Sequence, residues 1–134
     1  MGKKILVIED HPDWRDLLSC YLGSLGYQTA EAENGLEGME MAVRENPDLI
    51  ILDLGLPDIT GIEVALLLSE DPKTRHIPIL VHSAWPAELW REKAIQAGAA
   101  EYLAKPTPLT LLAETIKNLL ADKTESSAEG VEAV

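Results

Sequence analysis

Apolar and polar positions along the chain alternate between two rhythms. Continuous apolar runs, the mark of a strand covered on both faces of a parallel sheet, occupy 5–8, 49–52 and 77–81. Less uniform strand-like segments cover 27–32 and 101–104. Between them, apolar side chains recur at helical spacing. The first such segment carries Trp14, Leu17, Leu18, Tyr21, Leu22 and Leu25, with Pro12 in its first turn, Asp13 and Asp16 near its positive end, and Gly26 as its stop. Asn34-Gly35 opens a second, with Leu36, Met39 and Val43 as its apolar face, closed before Pro47. A third, over 61–69, carries Ile62, Ala65, Leu66 and Leu68 and ends at Asp71-Pro72; a fourth spans 86–97, with Gly98 behind it. The last has Thr107 as N-cap, Pro108 at its first position and a stripe of Leu109, Leu112, Ile116 and Leu119.

Five strands alternating with five helices predict a parallel sheet covered by helices on both faces, with right-handed crossovers. Eight pairs would be needed for a barrel, which leaves an open, doubly wound α/β sheet. This domain spans 1–121; the Ser/Glu/Ala-rich segment 122–134 reads as a disordered acidic tail.

Composition narrows the class. The chain has 134 residues, enough for one domain with a sizeable core. Hydrophobic residues make up 46%, yet no apolar run approaches the ~20 residues of a membrane span. The four residues before the first strand are too few for a signal peptide. Cys20 is alone, so no intramolecular disulfide can form, consistent with a reducing cytoplasm. A net charge of −12, with local basic character only at 73–76, argues against nucleic-acid binding. The expectation is a soluble, acidic, cytoplasmic single domain.

Four strands end in chemistry-bearing groups: Glu9-Asp10, Asp53, Ser83 and Lys105. Parallel strands bring ends of one kind to one edge, where open α/β sheets hold their ligands. Taken singly, Asp53, Glu9, Asp10 and Ser83 also read as turn or helix caps, and Lys105 as a solvated lysine. Together they are chemically complementary. Three carboxylates at about 4 Å repel by roughly 4 kcal/mol per pair at an effective dielectric near 20. One lysine cannot offset that, whereas Mg²⁺ with its waters can. An aspartate so oriented and neutralised can attack phosphorus, Ser83 can hydrogen-bond a phosphoryl oxygen, and Lys105 can pair with it.

Ile8-Glu9-Asp10-His11-Pro12, Leu52-Asp53-Leu54-Gly55-Leu56-Pro57 with Gly61, His82-Ser83-Ala84, and Tyr102-Leu103-Ala104-Lys105-Pro106 resemble the signatures of the receiver domain of two-component response regulators. Spacings of 30 residues from Asp53 to Ser83 and 22 from Ser83 to Lys105 agree, and the resemblance covers about 3–121. It implies a flavodoxin-like sheet of order 2-1-3-4-5 and a phosphoryl group passed to Asp53 from a phosphohistidine on a sensor kinase or phosphotransfer protein. It implies Mg²⁺ held by Glu9, Asp10, Asp53 and the backbone carbonyl of Gly55. Ser83 and Lys105 would bind the phosphoryl group, and Tyr102 would be the switch aromatic. Output would pass through the fourth helix, fifth strand and fifth helix to a downstream protein. Pairing of two phosphorylated copies through the same region is common in the family.

The chain departs from the family's pattern in three places. Glu9 stands where aspartate is commoner. Gly55 lacks a side chain, while Trp85 is large, and in receivers these positions line the path of the water that hydrolyses the acyl phosphate. Trp85 is therefore expected to shield the phosphoryl group, although packing on the following helix explains it equally. Trp14 lies near the surface where receivers dock a kinase's helical hairpin; an anchor and a core residue are both open readings. Trp90 falls off its helix's stripe and reads as a partner contact or a half-buried side chain.

A stand-alone receiver, consumed and regenerated rather than turning over substrate, is the leading expectation. A haloacid-dehalogenase-type phosphohydrolase also uses an aspartate nucleophile and Mg²⁺, but carries a second acid two residues on, where Gly55 stands. A phosphorylation-independent interaction module is the remaining alternative.

Overall fold

The computed structural model describes the backbone of residues 2–133 and the side chains of 2–121. Its elements run β1 (Lys4–Ile8), α1 (Pro12–Ser24), β2 (Gln28–Ala32), α2 (Gly35–Glu45), β3 (Leu49–Leu52), α3 (Gly61–Glu70), β4 (Ile79–Ser83), α4 (Ala87–Gln96), β5 (Glu101–Ala104) and α5 (Leu109–Ala133). The strands form one parallel sheet of order β2-β1-β3-β4-β5. Every residue of β3 and β4 is buried, as continuous apolar strands between two helical layers must be.

Alternate strand residues feed two cores. Leu6, Ile8, Ile50, Leu52 and Val81 meet Ala42 of α2, Val64 and Leu68 of α3, and Ala94 of α4. Ile5, Val7, Leu49, Ile51 and Leu80 meet Leu18 and Leu22 of α1 and Leu112, Ile116 and Leu120 of α5. The fold class stands as expected, and three details differ.

β4 begins two residues later than the apolar run 77–81. Ile77 is still in a turn, its N–H bonded to the Thr74 carbonyl at 3.0 Å, and Pro78 has no N–H for the ladder. The strand thus extends through His82 and Ser83. In α2 the expected face of Leu36, Met39 and Val43 holds for Met39, which packs on the core, and fails for the other two. Leu36 is 61% and Val43 44% exposed, and the helix buries Gly35, Gly38 and Ala42 instead. A Cβ on Gly38 would lie 2.5 Å from the Ile8 side chain, so small residues let the helix lie flat on the sheet. Finally, the Thr107 hydroxyl does not cap α5: it donates to the Ala104 carbonyl at 2.5 Å. The Pro108 carbonyl accepts from Leu111 and Leu112 at the helix start instead. The backbone of α5 continues to Ala133; the side chains of the segment expected as a disordered tail, 122–134, lie outside the described residues.

Among the described residues no helix is long and apolar enough to cross a membrane.

Candidate functional site

The sheet's C-terminal edge carries a cleft of about 280 Å³. Its floor is acidic. Glu9 follows β1, Asp53 follows β3, and both are buried; Asp10 beside them is exposed. Ligand oxygens of these three carboxylates all lie within 4.8 Å of one another. At that separation the Glu9 and Asp53 charges repel by about 3 kcal/mol at an effective dielectric near 20.

Lys105, which follows β5, supplies the opposing charge. Its Nζ donates to Glu9 Oε1 at 2.6 Å and stands 3.9 Å from Asp53 Oδ1. Burial pushes the Glu9 carboxyl above its ordinary range, opposed by the Lys105 hydrogen bond and reinforced by the Asp53 charge. Backbone donors complete the floor: His11 N–H reaches Glu9 Oε2 at 3.1 Å and Leu54 N–H reaches Asp53 Oδ1 at 2.9 Å. Arg15 braces the acidic loop from below, its guanidinium bonding the carbonyls of Glu9 at 2.8 Å and Asp10 at 3.3 Å. The sequence reading missed Arg15; its signal was a lone cation between Asp13 and Asp16 in the first turns of α1.

Two tryptophans wall the cleft from opposite sides. Trp14 presents its ring face to Lys105, with Nζ 4.8 Å from the ring centroid, and meets His82 edge-on, with centroids 5.4 Å apart and planes at 82°. Trp85 leans over Gly55; a Cβ on Gly55 would lie 3.3 Å from its indole Nε1. Behind Trp85 stands Trp90, centroids 4.7 Å apart, with Lys93 Nζ 4.7 Å over the Trp90 ring. Trp90 is half-buried, the second of its two readings.

Not every anticipated residue lines the cleft. Ser83 and Tyr102 are fully buried behind its wall. The Ser83 hydroxyl accepts from Trp85 N–H at 3.1 Å, and the Tyr102 hydroxyl donates to the Trp85 carbonyl at 2.6 Å. Burial pushes the Tyr102 phenol up, which keeps it a donor. Ser83 and Tyr102 therefore hold the two peptide groups on either side of the Trp85 Cα. The Lys105–Pro106 bond is cis. His82, on the opposite sheet face from Ser83, is 2% exposed and has a buried Nδ1 with no hydrogen-bond partner among the described residues. Burial brings its imidazole down to about 4, with the Lys105 charge adding to the effect.

The fold, its strand-end acids and the lysine define a phosphate-handling α/β receiver. Residues 5–117 match the family model of the response regulator receiver domain, and the chain belongs to that family. It is 34% identical over 122 residues to the polar-differentiation response regulator DivK of Brucella anthropi, covering 91% of this chain and 99% of that protein. A putative response regulator from Chloroflexus aurantiacus superposes with a TM-score of 0.86 at 30% identity, covering 90% of this chain and 99% of that one. The receiver domain of a sensor histidine kinase from Pseudomonas aeruginosa superposes at 0.83 with 29% identity over 90% of this chain and 99% of its own. That structure holds a magnesium ion coordinated in its active-site cleft.

Proposed function

We propose that Asp53 is the phosphoacceptor of this receiver. Its carboxylate oxygen attacks the phosphorus of a phosphohistidine on a sensor kinase or histidine phosphotransfer protein. The O–P bond forms as the P–N bond breaks, and the imidazole leaves. The observation that carries this reading is the convergence of three carboxylates within 4.8 Å, with Lys105 Nζ 3.9 Å from Asp53 Oδ1. An all-oxygen donor set of this charge fits a hard divalent cation. Glu9, Asp10, Asp53 and the Gly55 carbonyl would hold Mg²⁺, which when bound supplies positive charge against the transferring phosphoryl oxygens. Lys105 balances the charge on the other side, and Ser83, once its hydroxyl leaves Trp85 N–H, binds a phosphoryl oxygen.

The added charge of about −1.5 to −2 then pulls on the Ser83–Trp85–Tyr102 hydrogen bonds, which lead to α4 and β5. The α4–β5–α5 face is the output surface for a downstream protein, and phosphorylation-linked homodimerisation would use the same face. The protein is a switch rather than a turnover enzyme, since Asp53 itself is modified.

Acetyl phosphate or beryllofluoride with Mg²⁺ tests this reading. Wild type should respond in a Mg²⁺-dependent way and Asp53→Asn should not; equal responses of the two would overturn it. One observation favours a phosphorylation-independent module instead. Tyr102 is fully buried and its hydroxyl donates to the Trp85 carbonyl, an arrangement made by this chain's own groups. That alternative predicts partner binding unchanged by acetyl phosphate.

A further inference from the structure

We infer that Trp14 is the positioning residue for Lys105, a seat that keeps the ammonium aimed at Asp53. The inference rests on the phosphoacceptor reading above and adds a role to a side chain that a docking anchor or simple packing would otherwise explain.

A lysine ammonium is a compact charge on a flexible stem, so its position has to be imposed by its surroundings. Here it is held from two directions. Glu9 Oε1 at 2.6 Å and Asp53 Oδ1 at 3.9 Å lie toward the cleft floor, and the Trp14 ring centroid lies 4.8 Å away. The two supports differ in kind. A hydrogen bond to Glu9 has one good direction, whereas attraction to an aromatic face tolerates lateral sliding. When a phosphoryl group is attached to Asp53, Lys105 has to leave Glu9 for the new oxygens. It can do so across the indole face without losing that contact.

His82 explains how the indole is itself kept in place. Buried imidazoles are normally hydrogen-bonded, yet the Nδ1 of His82 has no partner among the described residues. What the ring does have is Trp14, in an edge contact at 82°. Kept neutral by burial, the imidazole braces the indole without placing a second cation near Lys105. His82, Trp14, Lys105 and Asp53 are therefore linked by successive contacts from the core to the reacting carboxylate.

Two measurements test it. In the unphosphorylated protein, the terminal methylene protons of Lys105 should show an upfield ring-current shift that collapses in Trp14→Leu. Unshifted Lys105 resonances in wild type would overturn the inference whatever the phosphorylation chemistry does. Separately, Asp53 phosphorylation is timed with acetyl phosphate and Mg²⁺, a donor that needs no protein docking. Trp14→Leu should slow it about tenfold, and Trp14→Phe, which keeps an aromatic face, should restore most of the rate. In a Lys105→Met background, Trp14→Leu should add nothing, because the residue it acts through is gone. Full additivity of the two substitutions would show a merely structural role. A wild type that shows the ring-current shift but takes no phosphoryl group would overturn the phosphoacceptor reading and leave the seat standing.

Discussion

The two tryptophan walls of the cleft look alike in composition and differ in what they hold. The Trp14 wall is tied to side-chain charge: its ring carries Lys105 and meets buried His82 in an edge contact. The Trp85 wall is tied to the backbone. Its N–H goes to Ser83 and its carbonyl to Tyr102, while the indole only leans on Trp90 and fills the space left by Gly55. A wall built on an ion pair fixes a charge. A wall whose two flanking peptides each have a side-chain partner can rearrange when either partner moves. One side of the cleft is thus suited to placing the phosphoryl group and the other to reporting its arrival.

The largest effect should come from Lys105→Met. It removes the cation from a pair whose side chains are only 7% and 3% exposed, and leaves Glu9 and Asp53 facing each other. Breaking a buried pair from one side should destabilise by about 3 kcal/mol in Mg²⁺-free urea denaturation, and Mg²⁺ should restore part of it. A loss below about 1 kcal/mol would mean that the Trp14 wall does not depend on its charge.

Next is His82. Its folded-state value of about 4 lies below the ordinary 6.5, so as pH falls through that window the unfolded chain takes up a proton that the native state refuses. Stability is therefore full above 6.5 and declines toward 4. Between pH 7 and 5 the His82 contribution should fall by about 2 kcal/mol. His82→Leu should abolish that part of the decline in paired denaturation curves, and parallel wild-type and variant pH profiles would refute the assignment.

On the other wall, Trp85→Ala should accelerate loss of the phosphoryl group by about fivefold, a barrier change near 1 kcal/mol, because Gly55 offers no side chain in its place. Loss at an equal or slower rate would assign Trp85 to packing alone. The smallest effect is expected from Tyr102→Phe. Removing the 2.6 Å bond to the Trp85 carbonyl should cost at most about 1 kcal/mol. It should also weaken the coupling between Asp53 phosphorylation and chemical-shift changes in α4. Undiminished coupling would show that the Trp85 peptide does not carry the signal.

Particular elements show how far the sequence could be read. β1 and β3 lie within a residue of their apolar runs, because helices cover both faces of these strands and each run ends at a carboxylate. Glu9 and Asp53 were legible as the first residues after buried apolar strands, whereas Lys105 follows the half-buried β5 and was marked by its motif with Pro106. α2 was misread because hydrophobic size was taken for burial. Gly38 is buried precisely because Ile8 leaves it no room for a side chain, while Leu36 faces outward. The roles of Trp14 and His82 were not legible either. They depend on the Trp14 side chain of α1 reaching His82 of β4 and Lys105 after β5, and no local spacing encodes those distances.

The sequence by itself determined the alternating α/β order, the parallel sheet and the convergence of Glu9, Asp10, Asp53, Ser83 and Lys105 on one edge. Period and strand termination are local properties, and topology does the rest. Only the tertiary structure decided that Ser83 and Tyr102 stand behind the cleft, one bonded to the N–H and the other to the carbonyl of Trp85. It alone also showed Lys105 lying between Glu9 and an indole face, with Trp85 closing over Gly55. Those outcomes turn on side-chain packing between elements far apart in the chain, where an ångström separates a contact from none.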